Sequence, residues 1–447
     1  MAALRLLPRR VLSSPAANPG FLSLRSGIYA SVFVVSAGLF VAYYVDSRAA
    51  MHRYVIMPVL RTLLDAETSH KLALRVLGSG LAPRDTQTDD ERLRTSLWGE
   101  EYSSFDKDGE ATDGLFNLGF SWVEIGSVTP RPQPGNPKPR VFRLPSDEAI
   151  INRYGFPSDG HTAVLARLRA RLPLFHEQET TTARHASLRP HALLAVNLGK
   201  NKASPADSID DFVQGVQTFG PYADVLVINV SSPNTPGLRS LQTRALLERL
   251  LDGVSRARDE LLVPSDANGT ATSTRSTKPK LVLKIAPDLE ESELGAIAAV
   301  VRSSGVDGVI VSNTTIRRPK DLSDPNRGEV GGLSGPPLKA YTLATLRTLR
   351  ALLPESVPLI GCGGITSGSD ALDYARAGAA AVQVYTRFAY EGVGTCRRIK
   401  DEITEALARE GTTWAAVVQR AGGELSLRGS APGGVRSPGW RTRAWSS

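Results

Sequence analysis

The chain has 447 residues, of which 41% are hydrophobic and 22% charged, so it can bury a large core and is too apolar to be a disordered polymer. Its net charge of +8 is not gathered into a basic stripe interleaved with aromatics, and several arginines sit in the two termini, which argues against nucleic acid as a partner. The two cysteines, Cys362 and Cys396, lack metal-ligand spacing, so neither a metal site nor a disulfide framework is indicated and a reducing compartment is the default.

Residues 1–26 carry Arg5, Arg9, Arg10 and Arg25, several serines and no acidic residue, the composition of a mitochondrial transit peptide. Residues 27–45 follow without a charge, and as a helix their 19 residues span about 28 Å, close to the ~30 Å hydrocarbon thickness of a bilayer. Tyr43 and Tyr44 at the end, then Asp46 and Arg48, suit a helix leaving a membrane, so a single-pass inner-membrane anchor in contact with lipid is expected. Residues 46–98 form a helical region. Met51 to Leu81 shows apolar residues at helical spacing, broken at Asp65-Ala66-Glu67-Thr68 by a helix-start signal, which predicts a helical hairpin. Beside a membrane such a pair suits a mouth for a lipid-soluble ligand, although packing against the main domain accounts for it equally.

From residue 120 onward, short Val- and Ile-rich runs alternate with helical patterns: 122–126, 193–198, 225–230, 281–285, 309–312, 359–361 and 381–385. Seven continuous apolar strands separated by helices predict a parallel sheet covered on both faces, and their number favours a (β/α)8 TIM barrel over residues 99–410. An eighth strand is owed near residues 99–105, where Gly99-Glu100-Glu101-Tyr102-Ser103-Ser104-Phe105 is neither apolar nor long, so the first barrel strand is missing from the sequence. Segments 178–190 and 266–279 read as surface insertions, the Pro-rich stretch 130–145 as a lid or binding loop, and 411–447 as a mostly disordered tail.

In a barrel the residues at the C-terminal ends of the strands converge on one face. Here those ends carry Gly126-Ser127, Asn197, Asn229 with Ser232 and Asn234, Lys284, Ser312-Asn313-Thr314, Gly363-Gly364 and Tyr385-Thr386. Each alone is a common turn former or a solvated charge; together they read as a site. Asn amides donate and accept at once, matching the alternating edge of a pyrimidine or flavin ring, and Gly-rich turns late in the barrel suit phosphate. Lys284 leaves a buried strand, where an ammonium needs an anionic partner, and a reduced flavin would supply one.

These segments resemble the class 2, quinone-dependent, membrane-bound dihydroorotate dehydrogenases of pyrimidine (UMP) biosynthesis. The resemblance rests on FDKDGE at 105–110, VEIGSVTP at 123–130, NRYGF at 152–156, VNLGKNK at 196–202, NVSSPNTPGLRSLQ at 229–242, KIAPDL at 284–289, SNTT at 312–315 and GGLSG at 331–335. It implies a flavin-dependent oxidoreductase with FMN, in which Ser232 is the base that takes a proton from C5 of dihydroorotate while hydride leaves C6. Thr235 and Phe156 would shape the proton's exit. Lys107, Asn152, Arg153, Tyr154, Gly155, Phe156, Asn229, Asn234, Asn313 and Thr314 would hold substrate. Ser127, Asn197, Asn229, Lys284, Ser312, Gly335, Gly364, Tyr385 and Thr386 would hold FMN. Ubiquinone would enter between the hairpin helices and reach His70, Arg143 and Tyr385, and Arg61 stands where relatives often carry a neutral amide, with snorkelling to lipid phosphates as its plain alternative.

Members of that family carry an apolar strand ending in G-L-A-A-G directly before the FDK segment, and this chain does not. The missing strand and the departure from the family fall on the same residues, as a misplaced exon boundary would produce. A non-catalytic, membrane-anchored barrel is therefore the second reading, and a flavin barrel using NAD(P)H a third, disfavoured because no G-x-G-x-x-G follows a strand.

Overall fold

The computed structural model describes residues 19–98, 109–172, 186–261 and 278–429. Two compact units divide at residue 45. The first holds helix α1, Pro19–Val45, whose segment Leu24–Val45 has a mean hydropathy of 1.9 and is long and apolar enough to cross a membrane. The helix starts eight residues before the predicted span, because nothing between Pro19 and Gly27 breaks it.

The second unit opens with the hairpin. Residues 52–56 wind into α2 (Met57–Leu63), and α3 (Ala66–Gly78) follows after Asp65, whose carboxylate accepts from the Glu67 and Thr68 amides at 2.9 and 3.0 Å. That cap lies at the predicted break and satisfies two donors that a helix start leaves open.

All seven predicted strands form one parallel sheet: β1 (Trp122–Val128), β4 (Leu193–Leu198), β5 (Val225–Asn229), β6 (Lys280–Ile285), β7 (Gly308–Val311), β9 (Leu359–Cys362) and β10 (Ala379–Gln383), adjacent in that order. Side chains alternate across it. Val123, Ile125, Leu194, Val196, Leu226, Ile228, Leu281 and Leu283 face the helical layer in the main core, whereas Trp122, Leu193, Ala195, Val225, Val227, Val282, Ile310, Ile360 and Ala381 form a second, inner cluster closed by Leu97. Burial on both faces is why the strands read as continuous apolar runs. The sheet curls: Gln383 Nε2 on the last strand donates to Glu124 Oε2 on the first at 2.8 Å.

Among the described residues no strand pairs with the outer edge of β1 or of β10. The place predicted for the absent strand, residues 99–105, lies outside the described residues. Beside the two edges is a cavity of about 320 Å³ lined by Phe120, Val382, Val384, Cys396, Ile399 and Ile403.

A small antiparallel sheet, β2 (Val141–Leu144), β3 (Ala149–Asn152) and β8 (Gly332–Ser334), was not foreseen; part of the predicted lid is its first strand. Within the stretch expected to be a mostly disordered tail, residues 414–429 form a helix, here α13, because Trp414, Val417 and Ala421 make a buried stripe and Trp414 Nε1 donates to Ala380 O at 2.9 Å; residues 430–447 lie outside the described residues. The predicted insertions lie largely outside the described residues.

His161 on α5 (Gly160–Ala170) is buried edge-on to Phe219, with centroids 5.0 Å apart, and Nδ1 lies 3.4 Å from Thr218 Oγ1. Burial pushes its pKa down from 6.5 to about 4, against a weaker opposing pull from Asp211. Between those values the unfolded chain binds the proton that the folded one refuses, so stability should fall by up to about 1.4 kcal/mol per pH unit as the pH drops through that window. His161→Leu should flatten this part of a melting-temperature profile against pH; an unchanged slope would remove His161 as its cause.

Candidate active site

Strand register sends alternate residues inward, and above the apolar inner cluster the inward positions become polar. Glu124 Oε1 accepts from Lys284 Nζ at 2.9 Å and from Asn197 Nδ2 at 2.7 Å, while its Oε2 takes the Gln383 bond. Burial disfavours both charges, but their mutual attraction and the amide hydrogen bonds outweigh it, holding Glu124 below the usual carboxylate range and Lys284 above the usual lysine range. The pair is ionised. Burial also pushes the nearby Cys362 thiol up, so it stays protonated.

Nearer the strand ends, Asn229 Nδ2 donates to Ser127 Oγ at 2.9 Å and to Asn197 Oδ1 at 3.2 Å. Asn313 Nδ2 donates to Ser231 Oγ at 2.9 Å. Ser232 is buried, its Oγ accepting from the Asn234 amide at 3.3 Å. Thr235, three residues on, has a buried Oγ1 with no hydrogen-bond partner among the described residues. Arg239 braces the lip from behind, donating to Ser231 O at 3.1 Å and to Asp288 at 2.8 Å.

The small sheet lies against this lip: Asn234 Nδ2 donates to Asn152 O at 3.1 Å, and Asn136 Nδ2 reaches Arg153 O and Asn234 O at 3.0 and 3.2 Å. In the turn that follows, Gly155 has φ +67 and Phe156 φ +54. A Cβ on Gly155 would meet the Asn136 amide at 2.6 Å, so this turn needs glycine for space as well as for backbone angle. Phe156, a bulky residue in the left-handed region, rests on Gly199, where an added Cβ would lie 3.1 Å from its ring.

Two of the expected substrate residues face other partners. Arg153 turns aside to Glu329, at 2.7 Å, and stacks over Phe142. Tyr154 lies under the Arg140 guanidinium, 5.3 Å from it, on the side of α3. Lys107 lies outside the described residues. Ser312 Oγ is 2.9 Å from Thr342 Oγ1 and is fully buried. Thr314 N is tied to Asn313 Oδ1 at 2.7 Å, and Thr386 Oγ1 donates to Ser334 Oγ at 2.9 Å, next to Gly335. Gly363 and Gly364 take φ +129 and +71 in the turn after β9. Tyr385 is pushed up to about 12 by burial.

Arg143 of β2 ties the hairpin to this region, donating to Leu64 O at 2.7 Å and Ser69 Oγ at 2.8 Å. Glu67 of α3 and Arg140 form a buried bidentate pair at 2.8 and 3.1 Å. His70 belongs to α3. Arg61 does not snorkel outward: its Nη1 donates to Tyr390 O at 2.6 Å, so its charge is held against the barrel. The hairpin keeps Tyr54, Val55, Val59, Leu63, Leu72, Val76 and Leu81 exposed.

Glu124 and Gln383 were missed by sequence reasoning. The available signal was a carboxylate two residues after Trp122 in an otherwise apolar strand, which puts both on the same face.

The residues present suit a flavin mononucleotide: a buried ammonium and three amides for a ring edge, with glycine turns and hydroxyls late in the barrel for a phosphate. A curled parallel sheet with a buried, amide-lined site at its C-terminal strand ends defines an α/β-barrel enzyme. A family model described as dihydroorotate dehydrogenase matches residues 100–407. The mitochondrial quinone-type dihydroorotate dehydrogenase of Lachancea kluyveri is 45% identical over 92% of this chain and 96% of its own, and that of Mus musculus 46% identical over 85% and 93%. A crystal structure of DHODH from Eimeria tenella in complex with ferulenol superposes with a TM-score of 0.73 at 37% identity, covering 81% of this chain and 98% of the other. The chain belongs to the dihydroorotate dehydrogenase family. These relatives support the enzyme and give no support to a non-catalytic barrel.

Proposed function

We propose that this chain oxidises dihydroorotate to orotate in pyrimidine biosynthesis, with FMN as the hydride acceptor and ubiquinone as the final electron acceptor. The observation that carries the reading is the run of hydrogen bonds that joins Asn313, Asn229 and Asn197 at the strand ends to the Lys284–Glu124 pair, with Ser232 on the turn that follows β5, in a chain of this family. FMN, when bound, supplies a two-electron acceptor. Lys284, Asn197, Ser127, Asn229, Ser312, Gly335, Gly364, Tyr385 and Thr386 would hold it. Lys107, Asn152, the turn through Phe156, Asn229, Asn234, Asn313 and Thr314 would hold the substrate ring and carboxylate; Arg153 contributes its backbone to that turn, since its guanidinium is engaged elsewhere.

Ser232 Oγ takes the C5 proton while its own hydroxyl proton passes on to a water, so the oxygen ends neutral. The Asn234 backbone N–H orients the hydroxyl by donating to it, and the substrate carbonyl next to C5 makes the C5 proton acidic. Thr235 Oγ1 and Phe156 line the way out for the proton.

Ubiquinone would enter between α2 and α3 toward His70, Arg143 and Tyr385. The exposed apolar side chains of these helices suit the surface of a mitochondrial inner membrane, and α1 suits a single span there. Purified protein given dihydroorotate and a short-chain ubiquinone should form orotate and quinol in equal amounts. Orotate formed only with a soluble acceptor such as NAD or fumarate would overturn the quinone assignment.

A further inference from the structure

We propose that Glu124 is the positioning residue of this site: it holds Lys284 in place and dictates which edge the amide of Asn197 presents to Ser127 and Asn229. What that edge serves rests on the function proposed above; its direction rests on hydrogen bonding alone. An ionised carboxylate only accepts, so Asn197 must turn Nδ2 toward Glu124, at 2.7 Å. Its Oδ1 is then left to accept from Ser127 Oγ at 2.5 Å and Asn229 Nδ2 at 3.2 Å. Asn229 is held the same way round from its other end, where Oδ1 accepts from the Ser231 backbone N–H at 3.2 Å, from Ser231 Oγ at 2.8 Å and from Asn313 Nδ2 at 3.4 Å. Asn313 in turn keeps Oδ1 for the Thr314 amide at 2.7 Å.

The three side-chain amides therefore all donate back toward β1, from the ends of β4, β5 and β7. An Asn amide can flip at little cost, and a hydroxyl can rotate. Glu124 is the acceptor-only end of this chain of bonds and sets Asn197, while the backbone N–H groups of Ser231 and Thr314 set Asn229 and Asn313 to match. The same carboxylate neutralises the Lys284 ammonium at 2.9 Å and is anchored by Gln383 from the far edge of the sheet at 2.8 Å. Loss of the negative charge leaves a buried cation without its partner.

Two kinds of measurement test this. In flavin-free protein, Glu124→Gln should lower the melting temperature, and adding Lys284→Met to that variant should recover most of the loss; failure to recover would overturn the counter-ion role. In flavin-loaded protein, Glu124→Gln should make the flavin midpoint potential more positive, because the Lys284 charge is no longer offset. Glu124→Leu, which has no acceptor, should raise the KM for dihydroorotate by roughly tenfold or more through a misplaced Asn197 and the Asn229 amide bonded to it, with Glu124→Asp recovering part of it. A lower melting temperature with wild-type potential and wild-type KM would reduce Glu124 to a structural residue and overturn the proposal. If the wild-type protein held no flavin or ignored dihydroorotate, the functional reading would fail, while the flavin-free melting series would still decide the pairing with Lys284.

Discussion

Ser232→Ala should slow reduction of the bound flavin by dihydroorotate by roughly 10²- to 10⁴-fold, the range for removing a general base, while the spectrum of the oxidised flavin stays unchanged. The expectation follows from the position of Oγ: buried, at the lip of the strand ends, and oriented by the Asn234 backbone N–H. Alanine fits the same space and removes from the turn only the long hydrogen bond of the Asn234 backbone N–H, so the cofactor site below should be undisturbed. Stopped-flow mixing without oxygen or quinone isolates this half-reaction. Reduction at the wild-type rate would remove Ser232 from proton transfer and shift attention to Thr235 or to a water held by the lip.

Supplying the absent strand should have an effect of similar size on stability. An apolar, strand-length segment ending in Gly-Leu-Ala-Ala-Gly, inserted between Ser104 and Phe105, would give a neighbour to the two sheet edges that no described strand pairs with, and would fill the cavity beside Val382, Val384 and Ile399. Cavity energetics of about 24 cal/mol per Å³ and the pairing of two edges together suggest a gain of at least roughly 3 kcal/mol. The melting temperature and the ratio of flavin to protein should both rise. If neither moves, the seven-stranded arrangement is self-sufficient. Sequencing the transcript is the parallel check: a message without apolar codons at that place would rule out a misplaced exon boundary.

The parallel strands were legible because burial on both faces makes their signal a run rather than a pattern. Asp65 was legible as a cap because short acidic side chains before a helix have a local reason to be there. The small sheet was not, since β3 and β8 are short and pair residues as distant as Ile151 and Leu333. Local sequence carries no trace of such pairing. The polar strand ends were recognisable as a set, but the direction of each side chain was not: Arg153 points to Glu329 and Arg61 to the Tyr390 carbonyl, partners set by tertiary packing. Glu124 was hidden for a related reason. Only the register of β1 against β4 and the curl toward β10 show that it faces inward.

The most direct measurement is the visible absorption of the purified chain before and after anaerobic addition of dihydroorotate. The site described here predicts a flavin spectrum that bleaches on mixing and returns when ubiquinone is added. A flavin that stays oxidised in the presence of dihydroorotate would contradict the assignment of this chain as a working dihydroorotate dehydrogenase.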